Sequence, residues 1–285
     1  MKILTFDIED WFHILDNDST KTVESWSGRE SILQQSVSWI LETLESHDQQ
    51  ATFFCLGWVA EEHPDVVRMI HEQGHEIACH SFAHQLVYEM TPDEFKADTT
   101  RAIQQLEDLT GEKVTTYRAP GFSITSDCSW AFEVLADSGI EVDCSVFPAR
   151  RAHGGLHSMD ITKPAIGMVS GHSSTLKLFP MNYRKALGRR FIYSGGGYFR
   201  LAPEALLKRW FADDDYVMTY FHPRDFEPDQ PMVDGLSSVR RFKSYYGINK
   251  AGDKLKSLLQ EVRFTDVRSA DRSTDWQNAR RIQLT

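Results

Sequence analysis

The sequence predicts an α/β protein whose parallel strands are joined by helical crossovers. Two observations predict it. Short apolar or β-forming runs alternate with stretches of helical apolar spacing through four successive units, a pattern that implies right-handed strand–helix–strand connections. The groups best suited to chemistry, Asp7 to Asp10, His80 to His84, Arg118 and Asp143, with Gly57 among them, fall where those runs end. Sheets of this kind collect their functional groups at the strands' carboxyl ends.

The first strand runs from Ile3 to Phe6 and leads into a polar loop rich in turn residues. A helix is expected over 30–46, on the stripe Ile32, Val37, Ile40, Leu41 and Leu44. QATFFCLGW reads as a buried strand closed by a glycine. Pro64 opens the next helix, whose stripe Val66, Val67, Met69 and Ile70 stops at Gly74, and the short strand EIACH delivers His80. TPDEFKADTTRAIQQLEDLTG begins with a threonine cap, a proline and acids and closes on Gly111, as a helix does. VTTYRAPG is a strand ending in Arg118 and a Pro-Gly turn; DCSWAFEVLADSG is a helix and IEVDCSVF another strand.

From 148 to 200 the sequence turns glycine-rich and irregular, in RAHGGLHS, MVSGHSST and YSGGGYFR, and predicts loops or hairpins over the site, with LKLFP as a strand. APEALLKRWFA is helical after Pro203, and DYVMTYFHP is a strand whose apolar run ends at His222. Beyond 226 a helix at 253–260 and a last strand, EVRFTDV, precede a peripheral tail, DRSTDWQNARRIQLT. The organisation expected is one domain over 1–285, with core motifs in 2–150 and 215–225, a loop-rich insertion at 148–200 and an extension at 226–285.

Composition narrows the function. At 41% apolar and 25% charged residues the chain is not a disordered one, and a net charge of −10 with no offsetting basic block argues against nucleic-acid binding. The densest basic run, RKALGRRFIY at 184–193, suffices for a single phosphate or carboxylate through Arg184, Arg189 and Arg190. The start MKILTFDIED lacks the apolar core of an export signal, and no window approaches eighteen apolar residues, so no transmembrane segment is expected and the expected location is cytoplasmic. Cys55, Cys79, Cys128 and Cys144 show neither a CxxC pair nor a secreted-scaffold density and read as reduced thiols. The composition is compatible with a homo-oligomer.

The sharpest local signal is HSFAH, where His80 and His84 stand four residues apart and can reach one metal ion from one side of a turn. A first shell needs a further ligand, and its nearest source is the acidic cluster of TFDIED: Asp7, Glu9 and Asp10. His222 is placed by the same strand-end logic.

Taken together, TFDIED, HSFAH, RAPGF and YFHP resemble the successive motifs of the NodB-type polysaccharide deacetylases, the family-4 carbohydrate esterases, over residues 2 to 150 and the strand ending at His222. The spacing Asp-x-Asp/Glu in the first motif is closest to the branch that resembles allantoinase-like and peptidoglycan or exopolysaccharide deacetylases. The resemblance implies an irregular, incomplete (β/α) barrel of about seven strands. It implies Asp7 as the base, Glu9 or Asp10 as the metal carboxylate with Glu9 preferred, and His80 and His84 as the paired imidazoles. It further implies that Arg118 pairs with Asp7 and that His222 is the acid, although Tyr220 replaces the usual leucine two residues before it. Asp143 occupies the place of the fourth motif; Gly121, Phe122 and Trp11 are the oxyanion and substrate candidates.

Two imidazoles and a carboxylate suit one divalent ion, Zn²⁺ first, with Co²⁺, Ni²⁺ or Mn²⁺ as alternatives. The activity expected is removal of an N-acetyl group from a nucleotide- or lipid-linked amino sugar of polysaccharide assembly, with Trp11, Phe12, Trp58, Tyr198 and Phe199 either stacking on sugar faces or filling the core. The same site would serve an allantoinase-like cyclic amide hydrolase or a deformylase, and an inactive carbohydrate-binding module is the reading from outside the enzymes. A closed small pocket would favour the cyclic amide, an open groove the glycan.

Overall fold

Five short strands, almost wholly buried, lie side by side and in parallel: β2 (Thr5–Ile8; β1, Lys2–Ile3, precedes it), β3 (Thr52–Cys55), β4 (Glu76–Cys79), β5 (Thr116–Tyr117) and β6 (Val142–Asp143). The computed structural model describes residues 1–15, 17–149, 154–156, 159–169, 175–186 and 188–285, with the side chains at 186 and 189 outside that description. Much of RAHGGLHS and MVSGHSST therefore lies outside the described residues.

The sheet is mixed rather than all parallel. After β7 (Ala165–Met168), β8 (Thr175–Leu178) joins β6 in parallel, while β7 runs antiparallel to β8. A hairpin of β9 (Arg184–Ala186) and β10 (Arg189–Phe191) stands apart, and β11 (Val217–Met218) pairs in parallel with β1. The last strand, β12 (Arg280–Gln283), completes an eight-stranded sheet of order β12-β7-β8-β6-β5-β4-β3-β2. The tail expected to be peripheral therefore supplies an edge strand. EVRFTDV, expected as a strand, instead makes a single bridge from Thr265 to Ile3 before turning into a helix at Val267.

The helices follow the apolar stripes. Helix α1 (Leu33–Ser46) buries Leu33, Val37, Ile40, Leu41 and Leu44, one face of a 3.6-residue period. The pair α2 (Gly57–Glu62) and α3 (Pro64–Glu72) follows β3, and α4 (Pro92–Thr110) follows β4. Thr91 and Glu94 close a reciprocal capping box at the start of α4, and Gly111 ends it in the left-handed region. Helices α5 (Ala131–Asp137), α6 (Gly196–Leu201), α7 (Glu204–Asp213), α8 (Ser238–Tyr245), α9 (Ala251–Glu261) and α10 (Val267–Ser273) complete the chain. α6 and α8 were not expected; α8 buries none of its residues, so its apolar positions carry no core signal.

Alternation along the strands gives the sheet two packed faces. Phe6, Phe53, Cys55 and Cys79 belong to the larger apolar cluster with α1, α3 and α4, whereas Ile3, Phe54, Ala78, Val142 and Met218 belong to a second one. Thr5 and Asp7 alternate with Leu4 and Phe6, which places them on the second face. All four cysteines are free and buried. Among the described residues no helix is long and apolar enough to cross a membrane.

Candidate metal centre and active cleft

Strand β2 ends at Ile8, so its pleat carries Asp7 and the following residue, Glu9, to the carboxyl end of the sheet, both buried. β4 ends at Cys79 and delivers His80, whose N–H donates to Cys55 O at 2.9 Å. The turn that follows holds Ser81 and His84 at φ of 70° and 53°, a conformation costly for non-glycine residues. Asp98 of α4 fixes that turn by accepting from Phe82 N at 2.8 Å and Ala83 N at 3.0 Å. His84 is thereby turned back over the sheet end to face Glu9.

Three donor atoms converge there. Glu9 Oε1 lies 3.1 Å from His80 Nε2 and 2.9 Å from His84 Nε2, and all three residues are buried. His80 Nδ1 lies 2.7 Å from Arg118 O, to which it donates, so a neutral ring presents a bare Nε2 lone pair to the carboxylate. His84 Nε2 is buried without a hydrogen-bond partner of good geometry. Lone pairs this close need a proton or a cation between them, and one carboxylate with two imidazoles is a donor set that fits a divalent ion. With protons on the imidazoles in place of a cation, burial still opposes ionisation of Glu9, but the charges of His84 and His222 and the contacts to His80 and His84 outweigh it and hold the carboxyl well below its ordinary range.

Asp7 is paired from behind. Arg118, fully buried at the end of β5, donates from Nη1 to Asp7 Oδ1 at 2.6 Å and to Thr5 Oγ1 at 2.7 Å, with its guanidinium 4.0 Å over the Phe54 ring. The contact is made by one nitrogen and not by the two-point fork that a guanidinium permits. On the open side, His222 Nε2 stands 3.9 Å from Asp7 Oδ2 and 3.7 Å from Glu9 Oε1. His222 Nδ1 lies 3.1 Å from Asp225 Oδ2, and Asp225 Oδ1 takes an ion pair from Arg200 at 2.5 Å. Burial lowers the pKa of His222, but Glu9, the hydrogen bond and charge of Asp225, and Asp7 together push it up to about 9.

Asp7, Glu9, His84, Gly121, Phe122 and His222 line one open cleft with a cavity of about 270 Å³. Three expected residues are elsewhere. Asp10, a possible metal carboxylate on sequence grounds, is outside the donor cluster because its Oδ1 accepts from Trp11 N at 2.8 Å and Ile32 N at 3.2 Å, tying the first loop to the start of α1. Trp11 packs edge-on to Phe12 and donates from its indole to Glu30 O, so it is core and not a cleft wall. Asp143 accepts from Ser145 N at 3.0 Å and Ser145 Oγ at 2.6 Å, and Ser145 Oγ accepts from Ala119 N; Asp143 braces the RAPGF turn from outside the cleft. Burial pushes its carboxyl up to about 6.

Phe12, Trp58 and Phe199 are likewise buried, while Tyr198 is exposed. Arg184 is taken up by Asp214 at 2.7 Å and Arg190 by Asp160 at 3.1 Å, and the Arg189 side chain is outside the described residues. Sequence reasoning missed Asp225, Arg200 and Arg224. HPRD carried a signal, since an acid three residues after His222 and just past a proline returns to the His222 N–H at 3.0 Å, in the manner of a helix cap.

Residues 4–141 match the family described as Polysaccharide deacetylase, and residues 144–272 match the Domain of unknown function (DUF3473). The two matches meet at β6, and strands of both share the eight-stranded sheet. A peptidoglycan-N-acetylglucosamine deacetylase of Bacillus cereus is 33% identical over 95 residues, 33% of this chain and 34% of that protein. A chitooligosaccharide deacetylase of Azorhizobium caulinodans is 33% identical over 82 residues, 28% of this chain and 39% of that protein. The chain thus spans about a third of the length of the curated relatives it matches. Among solved structures, a candidate polysaccharide deacetylase from Mycobacterium smegmatis superposes with a TM-score of 0.66 at 20% identity, over 100% of this chain and 93% of that one. A CE4-family pseudoenzyme from Bacillus anthracis superposes with a TM-score of 0.51 at 14% identity, over 94% and 64%. At those identities the likeness is one of fold.

Proposed function

Residues 4–141 belong to the polysaccharide deacetylase family, and on that premise we propose that the chain is a metal-dependent hydrolase that removes the N-acetyl group from an amino sugar and releases acetate. The observation that carries the reading is the convergence of Glu9, His80 and His84 beside Asp7 and His222 at the mouth of one cleft. Relatives whose names specify N-acetylglucosamine and chitooligosaccharide deacetylation support the substrate class.

Glu9, His80 and His84 would hold the cation, with Zn²⁺ the first choice for this donor set. When bound, such a cation supplies Lewis acidity, which lowers the pKa of water and polarises the acetyl carbonyl. Asp7, aimed by Arg118, takes the proton from the attacking water. Gly121, at the cleft wall, is the proposed backbone donor to the developing oxyanion; the Phe122 N–H is already committed to Ala119 O at 3.0 Å. His222, an imidazolium at neutral pH, gives its proton to the departing amine, and Asp225 holds its ring in register for that transfer. The products are acetate and a free amino sugar.

The reading also takes the eight-stranded sheet and the β1–β11 pair as one irregular, incomplete (β/α) barrel. The parallel bridge between Phe6 and Phe221, which carries the line of β11 alongside β2, supports this. The cleft is open rather than sealed, which favours a glycan over a small cyclic amide. Acetate release from N-acetylated chitooligosaccharides tests the function. Activity should vanish on chelation and return with Zn²⁺ or Co²⁺, and turnover that survives verified metal removal would refute it.

A further inference from the structure

The charges lining the cleft do not balance group by group. Asp7 is matched by Arg118 and Asp225 by Arg200, and Glu9 belongs to the donor cluster. Arg224, Arg240 and Lys243 also line the cleft. Arg240 donates from Nη2 to Leu15 O at 2.6 Å. Neither Arg224 nor Lys243 has a carboxylate within ion-pairing distance among the described residues.

Arg224 is the more telling of the two. Its Nη2 is buried with no hydrogen-bond partner, and its Nη1 makes only a long contact to Trp11 O at 3.4 Å. The Tyr245 ring is 5.8 Å from the guanidinium, too loose to replace a counter-ion. A guanidinium left short of donors' partners in a partly buried wall is unfavourable unless an anion completes it. The chain as a whole carries −10, so this basic locus is a local feature and not a product of overall charge.

We propose that Arg224 and Lys243 form an anion subsite in the cleft, and that the amino sugar deacetylated there carries a carboxylate or a phosphate. This rests on the deacetylase reading and narrows its substrate class. Guanidinium and ammonium groups both recognise either anion, and the sources are separated by the choice of probe.

The test compares acetate release by the metal-loaded full chain from neutral N,N′-diacetylchitobiose, from N-acetylmuramic acid and from N-acetylglucosamine 1-phosphate. At least one anionic probe should exceed the neutral one by about tenfold or more in kcat/KM, chiefly through KM, as expected for one charge-assisted contact. Arg224→Gln should bring that ratio down to about threefold or less, and Lys243→Gln, at an exposed position that does not threaten folding, should lower it in the same direction. Equal kcat/KM for all three probes, or a ratio that survives both substitutions, would overturn the subsite and leave the deacetylase standing. Should no probe release acetate, the activity itself fails, and calorimetry of the anionic against the neutral probe, with wild type and Lys243→Gln, still decides the subsite: an equal affinity sinks it, a preference lost in the variant upholds it.

Discussion

Arg118 donates to Asp7 at 2.6 Å from a position with no exposure to solvent, and it touches that carboxylate through one nitrogen. A lysine at 118 keeps a charge but loses the plane that lies on Phe54 and the second hydrogen bond to Thr5, so the direction of Asp7 suffers. Arg118→Lys should keep its metal and lose about 10- to 100-fold in kcat/KM, about 1.4 to 2.7 kcal/mol of transition-state stabilisation. Steady-state kinetics on metal-loaded protein check it. Arg118→Ala leaves a buried carboxylate without its partner and should cost about 3 to 5 kcal/mol of stability, read from denaturant unfolding.

Metal content separates the acids of the first motif. Glu9→Gln and His80→Ala should lose bound metal, while Asp7→Asn should keep it and lose turnover. Asp10→Ala should keep it too, but should melt lower by about 1 to 2 kcal/mol because the Trp11 and Ile32 N–H groups lose their acceptor. Elemental analysis, thermal melts and turnover together separate the two ligand variants from Asp7→Asn and from Asp10→Ala; an Asp10 variant stripped of metal would return that residue to the ligand set.

His222 provides a titration with a definite sign. Its value of about 9 in the metal-free protein lies above the ordinary imidazole value of about 6.5, and Glu9 is a principal cause. Stability from the imidazolium is therefore fully present below the ordinary value and is lost as pH rises through about 9. A bound cation cancels the charge of Glu9, so loading metal should move the His222 titration downward, and Asp225→Asn should lower it in either state. NMR of the ring C–H signals follows the titration, and the alkaline limb of kcat/KM should move with it.

Gly57 opens α2 in close contact with α4. A Cβ there would stand 2.6 Å from Phe82 Cδ2 and 2.9 Å from Ala102 Cα, and the Gly57 N–H holds Ser81 O at 2.9 Å. Gly57→Ala should cost about 1 to 3 kcal/mol by overpacking and should disturb metal binding through the turn that carries His84. Thermal melts read the first effect and metal affinity the second; an unchanged melt would show that Phe82 yields freely.

The sequence made the strand ends legible because apolar runs there stop abruptly at polar residues, and Asp7, Glu9, His80, Arg118 and His222 do meet as that rule predicts. It resolved Glu9 from Asp10 poorly, since both follow the same strand and only the path of the loop to Ile32 decides which carboxylate is diverted. Strand β12 was hidden because it is an edge strand with mostly exposed side chains around Ile282. Helix α8 was hidden for the opposite reason: Val239 and Phe242 have helical spacing but face solvent, so their pattern marks no core. Arg224 reads in sequence as a polar residue after a proline, and only the count of charges around the cleft sets it apart.

The pairing of β1 with β11 joins residues near the start of the chain to residues more than two hundred positions later, with Lys2 opposite Val217 and Ile3 opposite Met218. On a ribosome, the proposed metal donors, the proposed base and its arginine are all made by residue 118, long before the proposed acid at 222 has been synthesised. In the proposed mechanism the partial chain would acquire its donor cluster while it still lacks the proton source for the leaving amine, and catalytic competence would arrive with a parallel pairing across most of the chain, the kind of non-local contact that forms slowly. On the proposed deacetylase reading, a nascent chain of this protein would be a metal binder before it is a catalyst.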